Sequence, residues 1–270
     1  MFEKIVLRIR KKVIGLVEIR GVLLSSRRYV EELERFRKLP SVKAVMLRID
    51  SPGGAVAPSQ EIYEAVLRVR EKKPVRASLG SVAASGGYYI ASAAEKIYAN
   101  PGTLTGSIGV AMHMRNVQEL FAKLGIDNSI IKSGKYKDVG SPFRKMTAQE
   151  SKYLQGVSDE IYEQFLDAVA SGRRLKREDA AKLADGKIYT GKKARELGLV
   201  DALGGLQTAI RETGKDMGIP EEPVVVSFKR RRHVFRENLM RSFVRHFLLA
   251  EAGPANSLQG VLLLAPGMEL

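Results

Sequence analysis

The 270 residues contain no cysteine and no tryptophan, and only three histidines. Without cysteine there are no disulfides, no thiolate nucleophile and no cysteine-held metal, although the compartment stays open. The few histidines leave little choice of imidazole base. His233 and His246 stand in a basic tail, and His113, in GVAMHMRN, is the only one ahead of it. A lone histidine among methionines with no carboxylate beside it reads as a packed residue rather than a base. Long apolar runs are also missing. None reaches the roughly 18 residues that a spanning helix needs, and MFEKIVLRIRKK lacks the apolar stretch of a secretion signal. The expected location is therefore cytoplasmic, or peripheral at the cytoplasmic or periplasmic face of a membrane.

Acidic residues are in deficit, 30 against 45 Lys and Arg, for a net charge of +15. Nucleic acid explains this poorly, since no recognition motif and no aromatic platform interleaved with Lys/Arg is present. The excess is uneven: between Lys229 and Ala250 seven Lys/Arg face one acidic residue, Glu237. In that segment Val234, Phe235, Leu239, Phe243, Val244 and Phe247 could share a helical stripe flanked by arginines. Such a helix can lie on an anionic bilayer, or dock on a core or a subunit. Residues 1–228 are thus expected to form the main domain and 229–270 a basic amphipathic helical tail.

What is present is a core, with 44% hydrophobic residues. VIGLVEI (13–19), KAVMLRI (43–49) and Val75 to Leu79 are short, β-branched strand patterns. RRYVEELERFRKL and PSQEIYEAVLRVREKK lie between them with helical periodicity; in the second, Ile62, Ala65, Val66 and Val69 share a face. Alternation of this kind implies an α/β fold with parallel strands and covering helices. Further helices are expected over 117–124, 148–170, 177–183 and 192–197, and a last strand in EEPVVVSF.

In such a fold the default site is the crevice at the carboxyl ends of the strands. Two glycine-rich turns fall there, DSPGGAV and GSVAASGGYYIASAA. Gly53, Gly54 and Gly86 allow bare backbone N–H groups to approach a ligand. Ser85 then stands at a helix start, where negative charge is favoured and two N–H groups could hold an oxyanion. Close packing alone explains many turns of this composition. Neither GxxxxGK[ST] nor GxGxxG appears, so a nucleotide is poorly supported. A nucleophilic serine needs a base. Lys132, Lys135 and Lys137, in IKSGKYKDVGSPF, are the candidates, and the spacing does not choose among them. A free lysine titrates near ~10.4, so whichever serves has to be desolvated.

RIDSPGG, GSVAASGGYYIASAA, PGTLTGSIGV and IKSGKYKDVGSPFRKMT, in this order, resemble the short, single-domain form of signal peptide peptidase A. That family consists of serine-lysine proteases sharing a Clp/crotonase-like spiral of βαβ units. The match extends over about residues 13–210. The resemblance implies Ser85 as nucleophile, Lys137 as general base, Ser107 as the hydroxyl that orients the lysine, and Gly86 with Gly54 (or Gly53) as oxyanion donors. It also implies no metal or other cofactor. Expected substrates are peptides and unfolded proteins, among them remnant signal peptides and misfolded or membrane-associated proteins. Short members form homo-oligomers whose sites are completed between subunits, so Lys137 is expected to be covered by a neighbour. Two rivals are weaker. A crotonase-type acyl-CoA enzyme would need a carboxylate beside AASGG, and a silent membrane scaffold of protease ancestry would not need Ser85 and Lys137.

Overall fold

The computed structural model describes residues 12–219 and 222–228. The residues expected to form the basic tail, 229–270, lie outside them. The first strand, β1 (Val13–Arg20), pairs in parallel with β2 (Val42–Ser51), and β2 with β3 (Val75–Ala84). Helix α1 (Arg27–Lys38) and α2 (Val56–Arg70) are the crossovers. On α1 the buried positions are Tyr29, Leu33 and Phe36, one face at i, i+4 and i+7. On α2 they include Ile62, Ala65, Val66 and Val69, the face expected from the sequence.

Strand β3 runs to Ala84, five residues beyond the apolar run that announces it, because Val82 to Ala84 find a second ladder partner, although Ser81 is exposed and Val82 half-buried. It pairs along one length with two strands in succession. β4 (Lys96–Ala99) takes Arg76 to Ser78, and β5 (Leu104–Gly106) takes Val82 to Ala84. Handing one strand from partner to partner turns the sheet into the Clp/crotonase-like spiral. Between β3 and β4 lies α3 (Gly86–Ser92). Beyond β5 come α4 (Gln118–Lys123), α5 (Ala148–Arg173), α6 (Arg177–Leu183), β6 (Ile188–Thr190) and α7 (Gly191–Glu196). β7 (Ala202–Leu203), α8 (Leu206–Asp216) and β8 (Val224–Val226) complete the described chain. The sheet order is β6-β5-β3-β2-β1-β8, with β4 and β7 branching from β3. The expectation of parallel strands needs one correction: β5 and β6 pair antiparallel.

The larger core lies under α1, α2, α3 and α5; a second cluster of Ile14, Met46, Tyr98, Ala209, Ile210 and Ile219 lies beneath α8. Phe36 sits against the backbone of Gly15, where a Cβ would come within 2.8 Å of the ring. Phe36→Ala leaves that space empty, and a loss of about 3–5 kcal/mol is expected in denaturant unfolding.

Candidate active site

The site begins where β3 stops. Ser85 is the residue before α3, and its φ of 51° and ψ of −124° lie where side chains are disfavoured. Its N–H donates to the Gly106 carbonyl at 2.9 Å, and its carbonyl accepts from Tyr89 N at 2.8 Å. A serine here would ordinarily cap the helix with its hydroxyl; Ser85 makes no such bond. Parallel pairing of Ala84 with Gly106 brings the next residues of the two strands, Ser85 and Ser107, to one crevice. Ser107 also has a positive φ, 50°. Among the described residues one other non-glycine residue does so, Arg174, which simply ends α5 in the left-handed conformation. The two positions with no such helical reason are thus the two serines facing the same cavity.

Close backbone approach explains the small residues. A Cβ on Gly86 would strike the Ser59 hydroxyl, and one on Gly87 would lie 2.7 Å from the Ser51 carbonyl. The two tyrosines that follow have different tasks. Tyr88 is fully buried and donates to the Leu199 carbonyl at 2.7 Å, fastening α3 to the chain beyond α7. Tyr89 stacks near Tyr63 and Phe165, at centroid distances of 4.7 and 5.0 Å, and forms part of the cavity wall. Burial pushes its phenol up to about 12, so it stays neutral at any working pH.

The cavity has a volume of about 340 Å³. Ser85, Ser107, Gly54 and Gly86 face it, and Val56, Ile161 and Phe165 join Tyr89 on its apolar side. Gln60 and Gln164 tie α2 to α5 by a 2.5 Å hydrogen bond. The two glycines of SPGG are no longer equivalent. The Gly53 N–H is taken by the Ser51 hydroxyl at 3.1 Å, and Gly53 does not line the cavity. No hydrogen bond within the described residues engages the N–H of Gly54 or of Gly86. Ser51, which ties the turn down by also donating to the Gly21 carbonyl at 2.6 Å, escaped the sequence reading.

The lysines are likewise distinguishable. Lys132 is ion-paired with Asp138, and Lys135 donates to Gln149 at 2.6 Å. Lys137 makes no side-chain hydrogen bond or ion pair among the described residues. It is exposed and does not line the cavity of its own chain. The expected covering of Lys137 is therefore not provided within one chain. His113 is also exposed and outside the cavity, a correction to its reading as a packed residue. No set of three or more His, Asp or Glu able to hold a metal occurs among the described residues, and no helix there is long and apolar enough to cross a membrane.

The fold and cavity define a class: a Clp/crotonase-like α/β protein with its crevice at a strained serine turn between two parallel strands. Comparison with known proteins carries this to a family. The description "Peptidase family S49" matches residues 68–219. A Synechocystis sp. protein with a provisional protease name, slr0021, is 44% identical over 195 residues, 72% of this chain and 70% of its own. An Enterococcus faecium protein provisionally named signal peptide peptidase SppA is 35% identical over 198 residues, 73% of this chain and 58% of its own. The Arabidopsis thaliana "Serine protease SPPA, chloroplastic" is 35% identical over 210 residues, 77% of this chain but 31% of its own. The chain belongs to Peptidase family S49 and is signal peptide peptidase A-like.

Proposed function

We propose that the protein is a serine endopeptidase in which Ser85 is the nucleophile and Lys137, supplied by a neighbouring copy, is the general base. The observation that carries this reading is the strained Ser85, whose hydroxyl is withheld from its helix and shares a cavity with Ser107 and two unpaired N–H groups. The neutral Lys137 amine accepts the Ser85 proton as Oγ attacks the scissile carbonyl carbon. The resulting oxyanion accepts from the Gly54 and Gly86 N–H groups. The lysine ammonium then gives its proton to the departing amine as the C–N bond breaks. Water, deprotonated by the same lysine, hydrolyses the ester and frees Ser85. The Ser107 hydroxyl orients the amine.

A partner copy is part of the reading for two reasons. Lys137 stands outside its own chain's cavity, and the segment ahead of it exposes Leu120, Leu124, Ile130 and Ile131, apolar side chains that a neighbouring copy would cover. Substrates would be extended peptides laid beside the SPGG turn, which already forms one parallel bridge with Leu23. An apolar residue next to the cut would fill the wall of Tyr89, Ile161 and Phe165. Remnant signal peptides and unfolded or membrane-associated proteins fit this chemistry. The test is labelling with a fluorophosphonate: the assembled parent should react and Ser85→Ala should not. An assembled parent that stays unlabelled, or a label placed on another serine, would reject the assignment.

A further inference from the structure

The carboxylate next in sequence to the proposed base is Asp138, and it is fully occupied. It accepts from Arg144 Nε at 2.7 Å and is ion-paired with Lys132. Arg144 also donates to Glu150 at 2.8 and 2.5 Å and to the Asp138 carbonyl at 3.3 Å. Glu150 in turn accepts from Thr147 N at 2.9 Å and closes the capping box of α5. Two cations thus balance two carboxylates whose side chains are nearly shut off from solvent, at 9% and 6% exposure. The other charged groups around the cluster are committed elsewhere or lie beyond it. Lys135 reaches Gln149, and Lys145 pairs with Glu119 of α4 at 3.1 Å.

We infer that Arg144 is a positioning residue that holds Asp138 away from the Lys137 amine and thereby keeps that lysine available as a neutral base. The inference rests on the reading of Lys137 as the base. Released from Arg144 and held by Lys132 alone, the Asp138 carboxylate, one residue from the amine, would favour its ammonium form, raising the pH at which it becomes neutral. A neighbouring carboxylate within reach typically moves such a titration by one to three pH units, so roughly tenfold or more activity is at stake at fixed pH. Arginine suits the task because its planar fork gives Glu150 two hydrogen bonds while Nε still reaches Asp138, a bidentate geometry that an ammonium lacks. The carboxylates do not themselves titrate in the working range. Hydrogen bonds from Arg144 and then Thr147 hold Glu150 down to about 2, and those from Arg144 and then Lys132 keep Asp138 well below the usual carboxylate range. An activity limb near or above neutrality therefore does not belong to them.

The experiment compares pH profiles of kcat/KM for the parent, Arg144→Met, the double variant Arg144→Met/Asp138→Asn, and Lys137→Met, on a fluorogenic apolar peptide. Assembly and thermal unfolding are checked for each. Arg144→Met should shift the acid limb upward by about one pH unit or more, and adding Asp138→Asn should return it. An unmoved limb, or a shift that Asp138→Asn leaves in place, would overturn the inference. If Arg144→Met does not assemble, Arg144→Lys answers the same question, since its single ammonium should hold Asp138 less well and shift the limb in the same direction; an unmoved limb there also overturns it. An active Lys137→Met would instead reject Lys137 as the base, so the two failures are separable.

Discussion

Ser85→Ala is expected to lower hydrolysis of an apolar peptide and of an unfolded protein by about 10⁴-fold or more while leaving the fold intact. The structure separates these two effects unusually well. A serine just before a helix normally contributes a capping bond whose loss costs about 1 kcal/mol. Ser85 makes none, so alanine removes only a hydroxyl that faces the cavity. The positive φ strains alanine and serine alike, because both carry a Cβ. Unfolding midpoints of the two proteins should therefore agree within about 1 kcal/mol. Hydrolysis surviving at more than a hundredth of the parent rate would remove Ser85 from the mechanism.

Gly53→Ala should cost about 10²- to 10³-fold in kcat, the scale set by losing one oxyanion donor. Gly53 offers no donor of its own, because Ser51 holds its N–H. Its importance is the space it leaves. A Cβ there would lie 2.7 Å from the Gly86 nitrogen and 2.9 Å from the Ser85 Cβ, and φ is +99°. The methyl would crowd the donor and the nucleophile together. Some stability is lost as well, about 1–3 kcal/mol for a side chain in that conformation. Gly102→Ala is the comparison, since nothing lies within 4 Å of a Cβ at that position. Equal kcat in Gly53→Ala and the parent would show that the oxyanion is held elsewhere.

Much of this site can be read from the residues, because its parts are local. The alternation of strand and helix over residues 13–70 follows from periodicity, and Ser85 at a strand-to-helix turn follows from the small residues around it. Short strands are harder to read. β4, β5 and β7 hold four, three and two residues, too few to show a period, and they exist because β3 and β4 offer ladders to join. Choosing among Lys132, Lys135 and Lys137 is a question of which side chains pair, and those pairs are tertiary. The same holds for Gly53 and Gly54, which are told apart by the Ser51 hydroxyl on one N–H and by which of the two lines the cavity. One missed signal was legible: TAQE at 147–150 is a capping box, and it marks where the lysine-bearing loop is seated.

Helix α5 spans 26 residues, about 39 Å at 1.5 Å per residue. Glu150, near one end, grips the loop of Lys137 through Arg144, and Phe165, about 22 Å farther along the axis, walls the cavity of Ser85. A bound side chain that presses on Phe165 thus bears on the same helix that seats the loop of Lys137.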